Sequence, residues 1–189
     1  LAALVATSEE PLQKAGKTLA ILKGAIPLDT NAYDLRALMQ LNAVTFYGQI
    51  FGDDPVVWED ASPSQHIAEG KGIPPFLICY SRGMRTRANP ERPKWANAFA
   101  KKLRSAGVAA EVVDGSDRNH GEINQWFGRS DDAKVTGAAV KFLDAILGGK
   151  KIGGTNPEAQ VPEAETAPVG DSAIRFTRDY VPGMRDRNG

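Results

Sequence analysis

The sequence FLICYSRG, residues 76–83, begins with five consecutive apolar residues and turns polar at Ser81. A short apolar run that ends in a polar loop with glycine is typical of a buried strand. Two further runs have the same character: LKGAIPL at residues 22–28 and AEVV at residues 110–113. The sequence therefore predicts three buried strands, each followed by a polar loop.

Three other segments, residues 33–47, 95–105 and 132–147, carry apolar residues at the spacing of one helix face. Gly107 follows the second of them at the position where glycine commonly ends a helix. The residues of the third segment that we expect to face inward are Val135, Ala139, Phe142, Leu143 and Ile146. Because strands alternate with helices, the sequence predicts an α/β fold with a mainly parallel sheet and flanking helices.

The composition changes after Gly148, which divides the chain into three parts. Residues 1–148 form the predicted folded domain. Residues 149–172 are rich in Gly, Pro, Glu, Ala and Thr and predict a flexible linker. Residues 173–189, AIRFTRDYVPGMRDRNG, regain aromatic and apolar residues and predict an irregular tail or the start of another module.

Composition and charge exclude several classes of function. Lys and Arg together number 23, as do Asp and Glu, so the net charge is zero and nucleic-acid binding is not expected as the main role. No apolar run approaches the roughly 20 residues that span a bilayer. With a single cysteine, Cys79, and two histidines, the chain offers no disulfide framework and no metal-ligand cluster, so we expect neither metal nor cofactor.

The polar residues that follow the predicted strands include Asp29 after the first, Ser81 after the second and His120 after the third. The carboxyl ends of parallel strands lie at one edge of the sheet, where such folds carry their chemistry. His120, within DGSDRNHGEIN at residues 114–124, is the candidate general base. The alternative is a surface loop histidine that bonds to Asp117 or Glu122.

At this point the chain resembles the C-terminal half of an α/β-hydrolase of the esterase or lipase type. LAALVAT, at the start, is similar to the helix that follows the nucleophile elbow, G-x-S-x-G. LKGAIPLDTNAYDL resembles the next strand and its loop, and ASPSQHIAEGKGIPPFLICYSRG resembles the segment that often leads to the catalytic acid. FAKKLRSAGVAAEVVDGSDRNHGEINQWFGRSDD resembles the final helix, strand and histidine loop.

The resemblance implies a Ser–acid–His triad that hydrolyses small-molecule carboxylic esters, with His120 as its histidine. It places the serine a few residues before Leu1, where LAALVA already begins at full apolar density without a cap residue. We therefore expect a fragment whose partner is the missing N-terminal half of the same domain. Alone, the chain is expected to lack esterase activity.

The acid departs from the pattern that the resemblance implies. Its usual place is the loop after FLICY, and there the chain has no carboxylate until Glu91. We predict Asp29 as the acid, at the end of the preceding strand. The alternative for Asp29 is a helix cap or an Asx-turn with the two residues that follow it; Asp34 and Asp117 are further candidates for the acid.

Residues 81–104 contain eight Lys or Arg. Three of these, Arg82, Arg85 and Arg87, are candidates for contact with an acidic substrate. The alternative, which we favour, is a solvated helix face. Trp126, close after His120, is a candidate substrate contact, and its alternative is core packing. Three residues complete the survey. We assign Trp58 and Phe127 to a possible aromatic pocket or to packing, and His66 to a structural role.

Two other functions remain open from the sequence. An amidase or formamidase uses the same scaffold, and the fold does not separate these enzymes from an esterase. A hydrolase-like domain that binds a ligand without catalysis is favoured by the missing carboxylate after FLICY.

Overall fold

The strand β1, Phe76–Ser81, lies at the centre of the sheet and is buried over its whole length. It pairs in parallel with β2, Ala110–Gly115, with Phe76 opposite Ala110 and Ser81 opposite Gly115. The computed structural model describes residues 1–40, 44–84 and 89–148, all within one compact unit. Two of the three predicted strands are thus confirmed, and each extends slightly beyond its predicted end.

The third predicted strand, residues 22–28, forms only two isolated parallel bridges to β1, at Ala25 and Leu28. Backbone hydrogen bonds nevertheless run along this side of β1: the Leu77 amide donates to the Ala25 carbonyl, and the Cys79 amide donates to the Pro27 carbonyl. Pro27 has no N–H to donate, which explains why the pairing is not a regular strand. The prediction was correct about the pairing and wrong about the regular strand.

The two faces of β1 are covered by different helices, as the alternation of side chains along a strand requires. On one face Phe76, Ile78 and Tyr80 join a core that includes Phe99. Phe99 contacts Phe76 edge-to-face with ring centroids 5.6 Å apart. On the other face Leu77 and Cys79 join a second core cluster, whose fully or nearly fully buried members also include Val113, Ile123, Val135, Ala139 and Phe142. The result is a mixed α/β arrangement with helices on both sides of a small parallel sheet.

Eight α-helices and two short 3₁₀ segments surround this sheet within the described residues. The α-helices are α1 (Ala2–Thr7), α2 (Glu10–Gln13), α3 (Leu35–Gln40), α4 (Val44–Phe51), α5 (Pro55–Asp60), α6 (Glu91–Ser105), α7 (His120–Trp126) and α8 (Val135–Leu147). The 3₁₀ segments are Leu19–Ile21 and Pro63–His66.

The three predicted helices are present with different bounds. Within the first, residues 33–47, the structure describes α3 from Leu35 and the start of α4, and residues 41–43 lie outside the described part. The second begins earlier, at Glu91, and is followed as predicted by Gly107 at a positive φ of 74°. The third begins at Val135. The Asp132 carboxylate, three residues earlier, accepts hydrogen bonds from the Val135 and Thr136 amides and so satisfies the first free N–H groups of the helix.

On α8 the predicted inward face is largely confirmed. Val135, Ala139 and Phe142 are buried and Ile146 packs partly against them. Leu143 is 40% exposed, so its assignment to the core was wrong. The reason is that the buried stripe of this helix is narrower than the apolar pattern suggests.

The predicted linker, residues 149–172, and the predicted tail, residues 173–189, lie outside the described residues. Among the helices that the structure describes, none has the length and apolar character to span a membrane.

Gly115 is the last residue of β2 and lies opposite Ser81 of β1. We predict that Gly115→Ala destabilises the fold. An added β-carbon would lie 2.7 Å from the Tyr80 carbonyl oxygen and 2.9 Å from Cδ1 of Ile123. The carbonyl belongs to the central strand and cannot move freely. We expect the free energy of unfolding, measured by urea denaturation, to fall by about 1–3 kcal/mol.

The matched control is Gly137→Ala in the first turn of α8, where the nearest atom to an added β-carbon is 3.9 Å away. Alanine favours the helix, so we expect the free energy of unfolding to stay the same or to rise by up to about 1 kcal/mol. Equal losses in both variants would contradict the explanation by close packing.

Candidate active site

Three polar residues meet at the carboxyl edge of the sheet. Asp29 follows the segment that pairs with one side of β1, and its amide donates to the Cys79 carbonyl at 2.8 Å. Ser81 is the last residue of β1. His120 is the first residue of α7, which follows β2 and its loop. Because the three parallel segments end at this edge, residues up to 91 positions apart become neighbours.

The structure brings the two residues predicted as the catalytic pair into contact. Oδ2 of Asp29 lies 2.6 Å from Nδ1 of His120. The Asp29 side chain is fully buried, whereas the His120 side chain is 43% exposed. The carboxylate therefore holds the imidazole from inside while part of the ring remains open to solvent.

The alternatives for these two residues do not describe their contacts. Asp29 does not cap the next turn; the Thr30 hydroxyl accepts the Ala32 amide there instead. Asp29 does have a positive φ of 59°, a backbone conformation that Asp tolerates better than most residues. His120 bonds to neither Asp117 nor Glu122 through its ring.

The sequence analysis placed His120 in a loop, but in the structure His120 is the first residue of helix α7. The Asn119 side chain accepts the Glu122 amide at 2.9 Å, and the Glu122 carboxylate accepts the Asn119 amide at 2.6 Å. This reciprocal capping box starts α7 at His120. The His120 amide donates in turn to the Gly83 carbonyl at 3.1 Å, so the loop after β1 also fixes the position of the imidazole.

Two residues that the sequence analysis did not assign to the site hold the Asp29 carboxylate. Ser81 donates its amide to Oδ1 at 2.5 Å and its hydroxyl to Oδ2 at 2.7 Å. Arg92, in the first turn of α6, forms an ion pair with Oδ1 and is only 7% exposed. The favoured interpretation of the basic run as a solvated face is therefore wrong for Arg92. The sequence does carry a signal for Arg92, because it lies four residues before Ala96 and seven before Phe99, on the buried face of α6.

The Asp29 carboxyl is held in its ionised form. Burial by itself would raise its pKa, but the hydrogen bonds from the Ser81 hydroxyl and amide and from His120, together with the Arg92 charge, outweigh burial. The pKa of Asp29 consequently lies below its ordinary value.

Arg82, the predicted substrate contact, is engaged by the loop that precedes His120. One guanidinium nitrogen donates to the Asp117 carbonyl at 2.7 Å, and another donates to Glu122 at 3.2 Å. The Arg82 amide donates to the Arg118 carbonyl at 3.0 Å. Arg85 and Arg87 lie outside the described residues.

Trp126, the second predicted substrate contact, lies at the opposite end of α7 from His120. The Arg118 guanidinium lies 4.8 Å and that of Arg129 6.0 Å from the centre of its ring. These three residues, with Asp131 and Asp132, line a cavity of about 170 Å³. Each arginine is already paired with a carboxylate there.

The remaining sequence candidates have structural contacts. Trp58 donates its indole N–H to the Gly52 carbonyl, and Phe127 packs against the second core cluster. His66 contacts the Asp60 carbonyl through Nε2 at 2.7 Å. Two further acids are engaged elsewhere. Asp34 accepts the Ala37 amide at the start of α3, and Asp117 pairs with Arg118 and Lys134.

Cys79 is buried in β1, as predicted, and burial raises the pKa of its thiol to about 12. Within the described residues no group of three or more His, Cys, Asp or Glu side chains is arranged to hold a metal ion.

The described residues form a mixed α/β arrangement, and the chain has a partial structural similarity to solved structures of an esterase. The solved structures concerned are of Thermogutta terrifontis esterase 2. The propionate-bound structure is 22% identical, with a TM-score of 0.44 over 72% of this chain and 45% of that chain. The structure phosphoramylated by tabun is 22% identical, with a TM-score of 0.42 over 72% and 44% of the two chains.

This chain thus spans less than half the length of the esterase that it matches. No protein-family model matches the sequence. No curated protein matches it either.

We predict that Asp29→Asn changes how stability depends on pH. Folding stabilises the ionised carboxylate because its native pKa is lowered, so this stabilisation is complete above the unfolded-state pKa of about 3.9 and is lost as the pH falls through the native pKa. At pH 7 the variant should be less stable by about 3–5 kcal/mol, since the buried Arg92 charge loses its partner. In acid, below about pH 4, the difference from the wild type should shrink.

Urea denaturation at a series of pH values measures this difference. Asp53→Asn removes a carboxylate from an exposed position and serves as the control, with no comparable effect expected. A loss of stability in Asp29→Asn that is the same at every pH would show that the ionised carboxylate is not its cause.

Proposed function

We propose that residues 1–148 are the C-terminal part of an α/β-hydrolase domain that hydrolyses small-molecule carboxylic esters. In this proposal His120 is the general base and acid, and Asp29 orients it. The nucleophilic serine comes from a segment that precedes Leu1. The observation that carries the proposal is the 2.6 Å contact between the buried Asp29 carboxylate and Nδ1 of the half-exposed His120.

This contact suits proton transfer to and from a serine. When Nδ1 carries its proton toward Asp29, Nε2 has a free lone pair that can accept a hydroxyl proton. Among the described residues none donates to or accepts from Nε2 of His120. The serine oxygen then attacks the ester carbonyl, and Nε2 returns the proton to the departing alcohol, which leaves an acyl-serine. A water that gives its proton to Nε2 then attacks the acyl-serine, and the acid product and the serine hydroxyl are released. The Asp29 charge stabilises the imidazolium between these steps.

The surrounding contacts indicate how the imidazole is kept in place. Arg82 bonds to the Asp117 carbonyl and to Glu122, on either side of His120, so its contribution to the proposed site is to fix this loop. Trp126 lies six residues beyond His120, which corresponds to about 9 Å along a helix axis. A substrate that reaches Trp126 would therefore have to extend well past the reacting ester.

The test is ester turnover by the chain extended with the residues encoded upstream of Leu1. With p-nitrophenyl esters we expect hydrolysis that His120→Ala and Asp29→Asn each reduce by about 10⁴-fold in kcat, because the base or its correct tautomer is lost. His66→Ala is the matched control, since the His66 ring contacts the Asp60 backbone carbonyl and the backbone carbonyl of His66, which the substitution keeps, accepts from Lys71.

Unchanged turnover in His120→Ala would remove the proposed base, and full activity in Asp29→Asn would remove the proposed acid. A different residue in place of the elbow serine would favour the non-catalytic binding domain. Turnover of amides in preference to esters would favour an amidase on the same scaffold.

A further inference from the structure

The Asp29 carboxylate has all of its acceptor positions occupied. A carboxylate offers about four lone-pair sites on its two oxygens. Oδ1 accepts from the Ser81 amide and from Arg92, and Oδ2 accepts from the Ser81 hydroxyl and faces Nδ1 of His120. Three of the four contacts thus come from Ser81 and Arg92, and only the last serves the imidazole.

The Arg92 side chain passes close to the backbone of Gly83, which has no side chain, on its way to this carboxylate. A β-carbon on Gly83, which has a positive φ of 100°, would lie 3.2 Å from Cδ of Arg92. The same Gly83 accepts the His120 amide through its carbonyl. Arg92 also donates to the Asp29 carbonyl at 3.0 Å, so it binds both the side chain and the backbone of the residue. It therefore lies where the segment at Asp29, the loop after β1 and the start of α7 meet.

We propose that Arg92, together with Ser81, is a positioning residue that holds the Asp29 carboxylate in the one orientation that directs Oδ2 at Nδ1 of His120. This inference deepens the proposed function, on which it rests, by assigning the residues that act through Asp29 on the general base. Neither residue touches the substrate in this scheme.

The physical reason is that one contact does not orient a carboxylate. With His120 as its only partner, the carboxylate could rotate and offer either oxygen, and a buried negative charge would be costly. The guanidinium and the Ser81 amide bind Oδ1 from the other side and prevent this rotation. The guanidinium also neutralises the buried charge whenever the imidazole itself is neutral.

The other titratable groups near Asp29 do not compete for this role. The Tyr33 hydroxyl, from the segment before α3, and the Cys79 thiol, from β1, both have raised pKa values because they are buried. Both stay neutral over the working pH range. In the part of the chain that the structure describes, the charged groups that face Asp29 are Arg92 from α6 and, when protonated, His120 from α7.

The test is the protonation pattern of the His120 ring in the intact 189-residue chain. The chain has two histidines, so nitrogen-15 spectra of the imidazoles resolve both, and His66 provides an internal control. In the wild type we expect the proton on Nδ1 of His120, with a downfield resonance from its hydrogen bond to Asp29. In Arg92→Gln we expect a mixture of the two tautomers and loss of that resonance, with His66 unchanged.

The pH at which the resonance disappears in acid should be higher in Arg92→Gln than in the wild type, since one of the groups that lower the pKa of Asp29 has been removed. Arg92→Lys keeps the charge but not the guanidinium geometry. It should therefore show the tautomer mixture while its acid limit stays close to that of the wild type.

A folded Arg92→Gln chain with the wild-type tautomer and acid limit would overturn the proposal. Should this variant not fold, Arg92→Lys and Ser81→Ala decide, and wild-type His120 spectra in both would overturn it equally. The esterase assay is independent of these spectra. A chain with the expected spectra but no ester turnover contradicts the proposed hydrolase and leaves the positioning role standing.

Discussion

The ion pair between Arg92 and the buried carboxylate of Asp29 is the constraint on which the arrangement at the sheet edge depends. A carboxylate moved out of water costs several kcal/mol unless its charge and its lone pairs are satisfied. Here the compensation comes from α6 and from the end of β1, and the remaining contact reaches the start of α7. The end of β1 and the first turns of α6 and α7 are thereby joined at one buried charge.

Much of this arrangement could be predicted from local sequence. The short apolar runs predicted β1 and β2, because a strand that is covered on both faces reads as a continuous apolar run. Asp29 and His120 were expected to meet because parallel strands end at a common edge. The capping box that starts α7 was also readable, as Asn119 followed three residues later by Glu122, although a loop was predicted there.

The rest depends on contacts that no local pattern contains. The helical period places Arg92 on the face of α6 that buries Ala96 and Phe99, but it does not reveal which residue the guanidinium pairs with. Its partner is 63 positions away in the chain. Ser81 looks like the ordinary polar end of an apolar strand, and its function becomes visible only beside Asp29. Pro27 is the opposite case, because a proline in the predicted strand already indicates that one backbone N–H is lacking and that regular pairing is interrupted there.

Ser81 at the end of β1 and Asp29 on the adjacent segment form a complementary pair of donor and acceptor. Neighbouring strands lie about 4.8 Å apart, so an acid at the end of either strand can reach the same imidazole. Carboxylates on both would repel each other, and one of them would take up a proton. A serine at the end of β1 removes this repulsion and supplies two donors to the acid on the adjacent segment. The buried contact between Asp29 and His120 therefore depends on a residue like Ser81 at the end of β1.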